Sequence, residues 1–150
     1  MMKNHARLAM LLAALIGTGW GWRWERKFGE GLDRGLLEKG YRSVPVLAPD
    51  YELRDVRPGD RVDLLVVFDG TSRTGPVKYS TTLLQNAMVL GTARSGKNDE
   101  KGAAYLMLNP IEAQYAALAP RQGEISIILR MPGDREIHPV EMSDFRNLFR

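Results

Sequence analysis

Apolar and polar positions fall into blocks along this chain, and the blocks differ in period. The first is solid: Leu8 to Trp22 is fifteen residues without a charge, with Leu8-Ala9-Met10-Leu11-Leu12-Ala13-Ala14-Leu15-Ile16 as its core. Lys3 and Arg7 precede it, and a basic start before a short apolar run describes a signal peptide or a signal anchor. As a helix the run reaches only about 22 Å, against about 30 Å of hydrocarbon, so a span needs help from its flanks. Trp20, Trp22 and Trp24 stand at its far end among Arg23, Arg26 and Lys27. Tryptophan and long basic side chains favour the headgroup zone, so Trp20, Trp22, Arg23 and Trp24 are expected at a membrane interface. Gly17-Thr18-Gly19 is a small-residue pattern of the kind a signal peptidase uses, so cleavage and retention both stay open.

After residue 24 the pattern weakens. Gly29, Gly31, Gly35 and Gly40 are too many for a firm helix, and 25–39 reads as a linker with one or two helical turns at Leu32, Leu36 and Leu37. From about residue 40 the chain reads as one unit made mainly of strands. Val44-Pro45-Val46-Leu47 is interrupted by proline, which confines it to a sheet edge or a strand start. Val62 to Phe68 is a near-continuous β-branched and aromatic run, the pattern of a central strand covered on both faces, with Asp69-Gly70 as its closing turn. Thr81–Thr92 offers one or two strands, and 103–108 and 125–131 one each. Arg94 to Gly102 is polar and reads as a hairpin loop.

One helix is clearly signalled. Asn109 is placed as N-cap, Pro110 at the first helical position and Glu112 three residues after the cap. Ile111, Tyr115 and Leu118 share a face, and the helix is expected to stop before Pro120. The expected fold is α+β, mainly β: an N-terminal membrane-targeting helix, then a small, mostly antiparallel sheet with one packed helix. At the C-terminus Ser143 is placed to cap a short helix on which Phe145, Leu148 and Phe149 fall at i, i+3, i+4, a candidate partner contact.

Charge sharpens the first block. The net +3 resides in residues 1–30, with five basic and two acidic side chains, and residues 31–150 are neutral. A basic pI invites nucleic-acid binding only when the basic residues gather on a folded face, and here they flank an apolar run, so no nucleic acid is expected. The absence of cysteine excludes a disulfide scaffold, thiol catalysis, Cys-ligated metals and N-terminal lipidation on cysteine. With two histidines, His5 and His138, no metal site is expected, and no cofactor.

Candidate chemistry is thin. Asp60, Asp63 and Asp69 form the one local carboxylate cluster, but positions 60 and 63 face opposite sides of a strand, and they read as turn and surface charges beside Arg57 and Arg61. His138 precedes Pro139 and reads as solvated. Gly91 to Lys97 has glycines and a lysine, but Asn98 stands where a phosphate loop needs Ser or Thr. No catalytic residue is assigned.

The stretch Val56-Arg57-Pro58-Gly59-Asp60-Arg61-Val62-Asp63 differs in kind, because proline then glycine at the centre of a turn pre-sets type II geometry, making Pro58, Gly59 and Asp60 a structural turn. Here the sequence resembles the CpaB/RcpC family of Tad (Flp) pilus assembly proteins. The resemblance lies in Gly40-Tyr41-Arg42-Ser43-Val44-Pro45-Val46, in Val56 to Leu64, and in Leu83-Leu84-Gln85-Asn86-Ala87-Met88-Val89-Leu90-Gly91. Pro110-Ile111-Glu112-Ala113, Gly123 and Ile127-Ile128-Leu129-Arg130 continue it. It covers about residues 40–131, as an RcpC/CpaB-like domain after the membrane segment (1–24) and linker (25–39) and before a tail (132–150). It implies a non-enzymatic, periplasm-facing scaffold or adaptor, inner-membrane-anchored or periplasmic. Its implied partners are the outer-membrane secretin and other pilus-assembly proteins, and it is expected in several copies. Such proteins usually carry a SAF (antifreeze-like, β-clip) module after the membrane segment, and Arg23 to Lys39 is too short for one, so this reads as a short form. A different reading from the residues alone is a small periplasmic module binding glycan or peptidoglycan through Tyr41, Tyr51 or Tyr79.

Overall fold

The computed structural model describes residues 32–97 and 100–145. The expected membrane-targeting helix with Trp20, Trp22, Arg23 and Trp24 lies outside the described residues, as do Leu148 and Phe149. Within the expected linker, a 3-10 turn spans Arg34–Leu36, capped by Asp33, whose Oδ1 accepts from Gly35 N–H at 2.9 Å.

The strands are β1 (Arg42–Pro49), β2 (Arg61–Ser72), β3 (Gly75–Ala93), β4 (Lys101–Leu108), β5 (Glu124–Leu129) and the two-residue β6 (Ser143–Asp144). The helix α1 (Pro110–Gln122) lies between β4 and β5 in sequence. The sheet is antiparallel throughout, in the order β1-β4-β3-β2-β5, with β6 added to β3. β1 pairs only with β4 and so is an outer strand, where Pro45 and Pro49 are tolerated because one edge makes no ladder bonds.

β2 is central, between β3 and β5, as its β-branched run implies. It is not covered on both faces, however. Val62, Leu64 and Val66 are buried while Asp63, Leu65 and Val67 are partly exposed, because an antiparallel sheet covers its core with one face and leaves the other wet. Nor does the strand end at Asp69-Gly70; it runs to Ser72 and turns at Arg73-Thr74. Gly70 serves packing instead: a Cβ there would lie 2.6 Å from the Tyr79 ring, which stacks on Phe68 with centroids 5.7 Å apart.

β3 is a single strand of 19 residues. Its pairing with β2 shifts between Val62 and Leu64 and again between Leu64 and Leu65, and its pairing with β4 shifts between Val89 and Gly91. Extra residues on one strand bend it and raise its twist. Asn86, at the first shift, takes φ +60°, a conformation asparagine tolerates better than most residues. The bends let β3 pair with β2 along most of its length and with β4 along its last third. The sheet curls far enough that β1 and β5 approach each other. Their gap is bridged by a 3-10 turn (Asp50–Leu53), from which Glu52 Oε2 accepts the Ile127 N–H at 2.7 Å.

The curled sheet encloses Val46, Leu53, Leu64, Val89, Leu106 and Leu108, and α1 covers its open side. The helix begins as its cap residues dictate. Asn109 Oδ1 accepts from Ile111 and Glu112 N–H, both at 2.9 Å, and Glu112 Oε2 returns to Asn109 N–H at 2.8 Å. It ends later than expected, passing through Pro120. In the last turn a proline removes only one N–H, and Gly123 N–H still closes the turn on Ala119 O at 3.2 Å. Asp50, fully buried, fastens the β3–β4 loop: it accepts from Ser95 N–H at 2.8 Å and from Arg94 Nη2 at 3.1 Å.

Candidate functional site

The Arg57-Pro58-Gly59-Asp60 turn is built as follows. Gly59 takes φ +92°, Asp60 N–H donates to Arg57 O at 3.1 Å, and Asp60 Oδ2 accepts from Arg57 N–H at 2.8 Å. The turn is also sewn to β3, since Gly59 N–H donates to Val89 O at 2.8 Å and Val89 N–H to Asp60 O at 2.9 Å. Asp60 thus has its partners within the turn.

Asp63 does something else. Its Oδ1 accepts the Asn86 N–H at 2.8 Å, holding the β3 bend, and lies 3.1 Å from Arg130 Nη1. It is therefore a bonded group in the sheet and not a loose surface charge, because the bend of β3 delivers a backbone donor to it. Asp69 is separate again, paired with Lys78 at 2.9 Å on the exposed hairpin. The three carboxylates do not converge. Among the described residues no group of three His, Asp or Glu is placed to hold a metal ion.

The most connected side chain is one the sequence reading passed over. Arg130, 5% exposed in its side chain, donates from Nε and Nη2 to Asp134 at 3.2 and 2.9 Å, from Nη1 to Asp63, and from Nη2 to Glu136 O. Burial acts to push this guanidinium down, and Asp134 and Asp63 more than offset it, holding it above its usual value. Asp134 is held below the usual carboxylate range, first by the Arg130 hydrogen bond and then by the Glu136 N–H. A signal for this clamp was present in the sequence. Pro58-Gly59-Asp60-Arg61 recurs as Pro132-Gly133-Asp134-Arg135, a repeat four residues long. The second copy folds like the first, with Gly133 at φ +88° and Asp134 N–H on Met131 O at 3.0 Å. The two turns flank one recess of about 180 Å³ that also contains Arg61 and Arg130.

From Arg130 the tail runs over the sheet. Gln85 grips His138 by its backbone, Nε2 donating to His138 O at 2.7 Å and Oε1 accepting His138 N–H at 3.0 Å. His138 thus lies on the tail path, with its ring exposed and Nε2 3.5 Å from Glu136. Farther on, Ser143 and Asp144 pair with Ser80 and Tyr79 as β6. The expected Ser143-capped helix is absent at its start, because the open edge of β3 offers Ser143 and Asp144 ladder partners that a helix N-terminus lacks. Phe145 follows, exposed, beside Val67 and Tyr79 in a hollow of about 220 Å³.

A second exposed apolar surface lies on α1. The helix packs inward through Ala116 and Ala119, with Ala113 partly buried, while Ile111, Tyr115 and Leu118 are 63%, 51% and 60% exposed. The stripe that the sequence pattern places on one face of the helix turns outward, because only small residues let a helix lie close on the curled sheet. Tyr115 and Leu118 form one wall of a groove of about 210 Å³ whose floor is Val66, Phe68 and Leu83. Tyr41 and Tyr51 are exposed at separate elements, whereas Tyr79 has its ring against Phe68.

The fold is a small curled antiparallel sheet capped by one helix, with exposed apolar side chains on α1 and at Phe145. Residues 39–130 match the family described as Flp pilus assembly protein RcpC/CpaB, and the chain belongs to that family. No curated protein and no solved structure matches it.

Proposed function

We propose that the chain is a non-enzymatic scaffold or adaptor of the cell envelope in Flp pilus assembly, facing the periplasm and working in several copies beside the outer-membrane secretin. The observation that carries this reading is the family match over 39–130. Three further features support it. The basic and apolar N-terminal block suits membrane targeting, with Trp20, Trp22, Arg23 and Trp24 at the interface. The Pro58-Gly59-Asp60 turn spends its polar groups on holding β2 to β3. The large exposed side chains on α1, and Phe145 on the tail, give a scaffold apolar surface with which to hold partners, and the sequence adds Leu148 and Phe149, outside the described residues, as candidate contacts.

The test is affinity capture of the full chain from detergent-solubilised envelopes of cells making the pilus. Recovery of pilus-assembly proteins and secretin supports the reading. Recovery of neither, with the chain intact and folded, contradicts it.

A further inference from the structure

We infer that the recess between the two Pro-Gly turns binds a carboxylate carried next to an apolar group, the chemistry of the C-terminal residue of a peptide chain. Pro58-Gly59-Asp60-Arg61 recurs as Pro132-Gly133-Asp134-Arg135, and the fold brings both copies to one recess of about 180 Å³. Turn formation accounts for three residues of the repeat. Proline and glycine set the backbone, with Gly59 at φ +92° and Gly133 at φ +88°. Each aspartate is committed within the protein, Asp60 Oδ2 to Arg57 N–H and Asp134 to Arg130 and the Glu136 N–H. The fourth residue is left over. Arg61 uses one nitrogen, Nη1, on Asn86 O at 2.9 Å, and Arg135 makes no hydrogen bond or ion pair among the described residues.

Both arginines line the recess, so it holds two guanidinium groups with donors still to give. A guanidinium fork fits carboxylate and phosphate oxygens alike, and local charge decides between them. Arg61, Arg130 and Arg135 line the recess against Asp60 and Asp134, and Asp63, bonded to Arg130, brings these surroundings to neutral. Such a site accepts one added negative charge more readily than two, which selects a carboxylate over a phosphate dianion. Arg130 serves as the support: its side chain is 5% exposed and holds the second turn through Asp134 and Glu136 O. Met88 and Met131 add apolar, adaptable lining beside the guanidiniums, and Met131 is 77% exposed. Pockets for drug-sized ligands begin at about 300 Å³, so this recess suits one terminal residue. Capture of a terminal carboxylate is a recurring mode of peptide recognition. The inference rests on the recess alone and stands apart from the proposed role in pilus assembly.

The probe is N-acetyl-leucine, a carboxylate beside an apolar side chain, titrated into the full-length protein in neutral detergent and followed by NMR at arginine Nε–H and methionine methyl groups. Saturable shifts are expected at Arg61, Arg135, Met88 and Met131, absent with N-acetyl-leucinamide, with inorganic phosphate binding several-fold more weakly. Arg135→Gln is expected to weaken N-acetyl-leucine binding several-fold while leaving the Asn86 amide signal in place, a check that the β3 bend is intact. No saturable shift, an equal response to acid and amide, unaltered affinity in Arg135→Gln, or phosphate binding as tightly as N-acetyl-leucine overturns the inference.

Discussion

Arg130 Nη1 lies 3.1 Å from Asp63 Oδ1, and through that contact the last residue of the matched family stretch joins the central strand to the tail. The same guanidinium holds Asp134, so one buried cation ties together the β3 bend, the end of β5 and the second Pro-Gly turn.

Removing it has a defined consequence. Arg130→Met keeps an unbranched stem and abolishes four hydrogen bonds, leaving Asp63 and Asp134 without their shared partner. The expected result is selective loss of hydrogen-exchange protection at Asn86, Asp134 and Glu136, with the β1–β4 pair unchanged. Asp63→Asn keeps an oxygen for the Asn86 N–H, and its effect is expected in the same direction but smaller.

The tail clamp is also predicted to be acid-sensitive. Asp134 is held below its unfolded value of about 3.9, so its contribution is full above that pH and is lost as pH falls through the native value. Asp50 moves the same way: burial opposes its ionisation, and the Ser95 N–H and Arg94 outweigh burial. Between pH 7 and 5 neither contribution changes; below about pH 4 both begin to fade. Hydrogen-exchange protection, the rate relative to the unstructured peptide at the same pH, is expected to stay flat in the first interval and to fall in the second, at Asp134 and Glu136 for the tail and at Ser95 for the loop. A change between pH 7 and 5 contradicts the assignment.

Gly123 tests the junction of helix and sheet. Its φ of −176° is open to any residue, but a Cβ would lie 2.1 Å from Val67 O on the central strand, which cannot give way without shifting β2. Gly123→Ala is expected to destabilise the domain by about 3 kcal/mol in urea unfolding, near the top of the usual overpacking range. Asn109→Ala, which removes the acceptor of two helix N–H groups, is expected to cost about 1 kcal/mol.

What could be read from the sequence divides along physical lines. The central position of β2, the proline-bearing edge strand β1 and the capped start of α1 follow from local propensity, and all three stand. The length of β3 did not follow, because its three register shifts break the alternation by which a single strand is recognised. Gly70 pointed to a turn, yet its purpose is to admit the Tyr79 ring, a contact set by the sheet and invisible in local sequence. The apolar stripe of α1 was legible as a stripe, but not as an outward one. Which face turns inward depends on how closely Ala116 and Ala119 let the helix approach. The Arg130 clamp joins residues 63, 130 and 134, and only the repeated Pro-Gly-Asp-Arg hinted that the two turns are related.

The α1 stripe yields a prediction that separates stability from binding. Tyr115 and Leu118 are exposed, and replacing exposed residues ordinarily alters stability by no more than about 0.5 kcal/mol. Tyr115→Ser with Leu118→Ser is expected to leave urea unfolding almost unchanged while lowering recovery of envelope partners.

The central proposal is that this chain holds partners in pilus assembly through exposed apolar surface. Its most direct measurement is quantitative capture from solubilised envelopes by the full chain and by the Tyr115→Ser/Leu118→Ser variant in parallel. The account predicts pilus-assembly components on the unaltered chain and a several-fold loss on an equally stable variant. Equal recovery on both, or no pilus-assembly component on either, would contradict it.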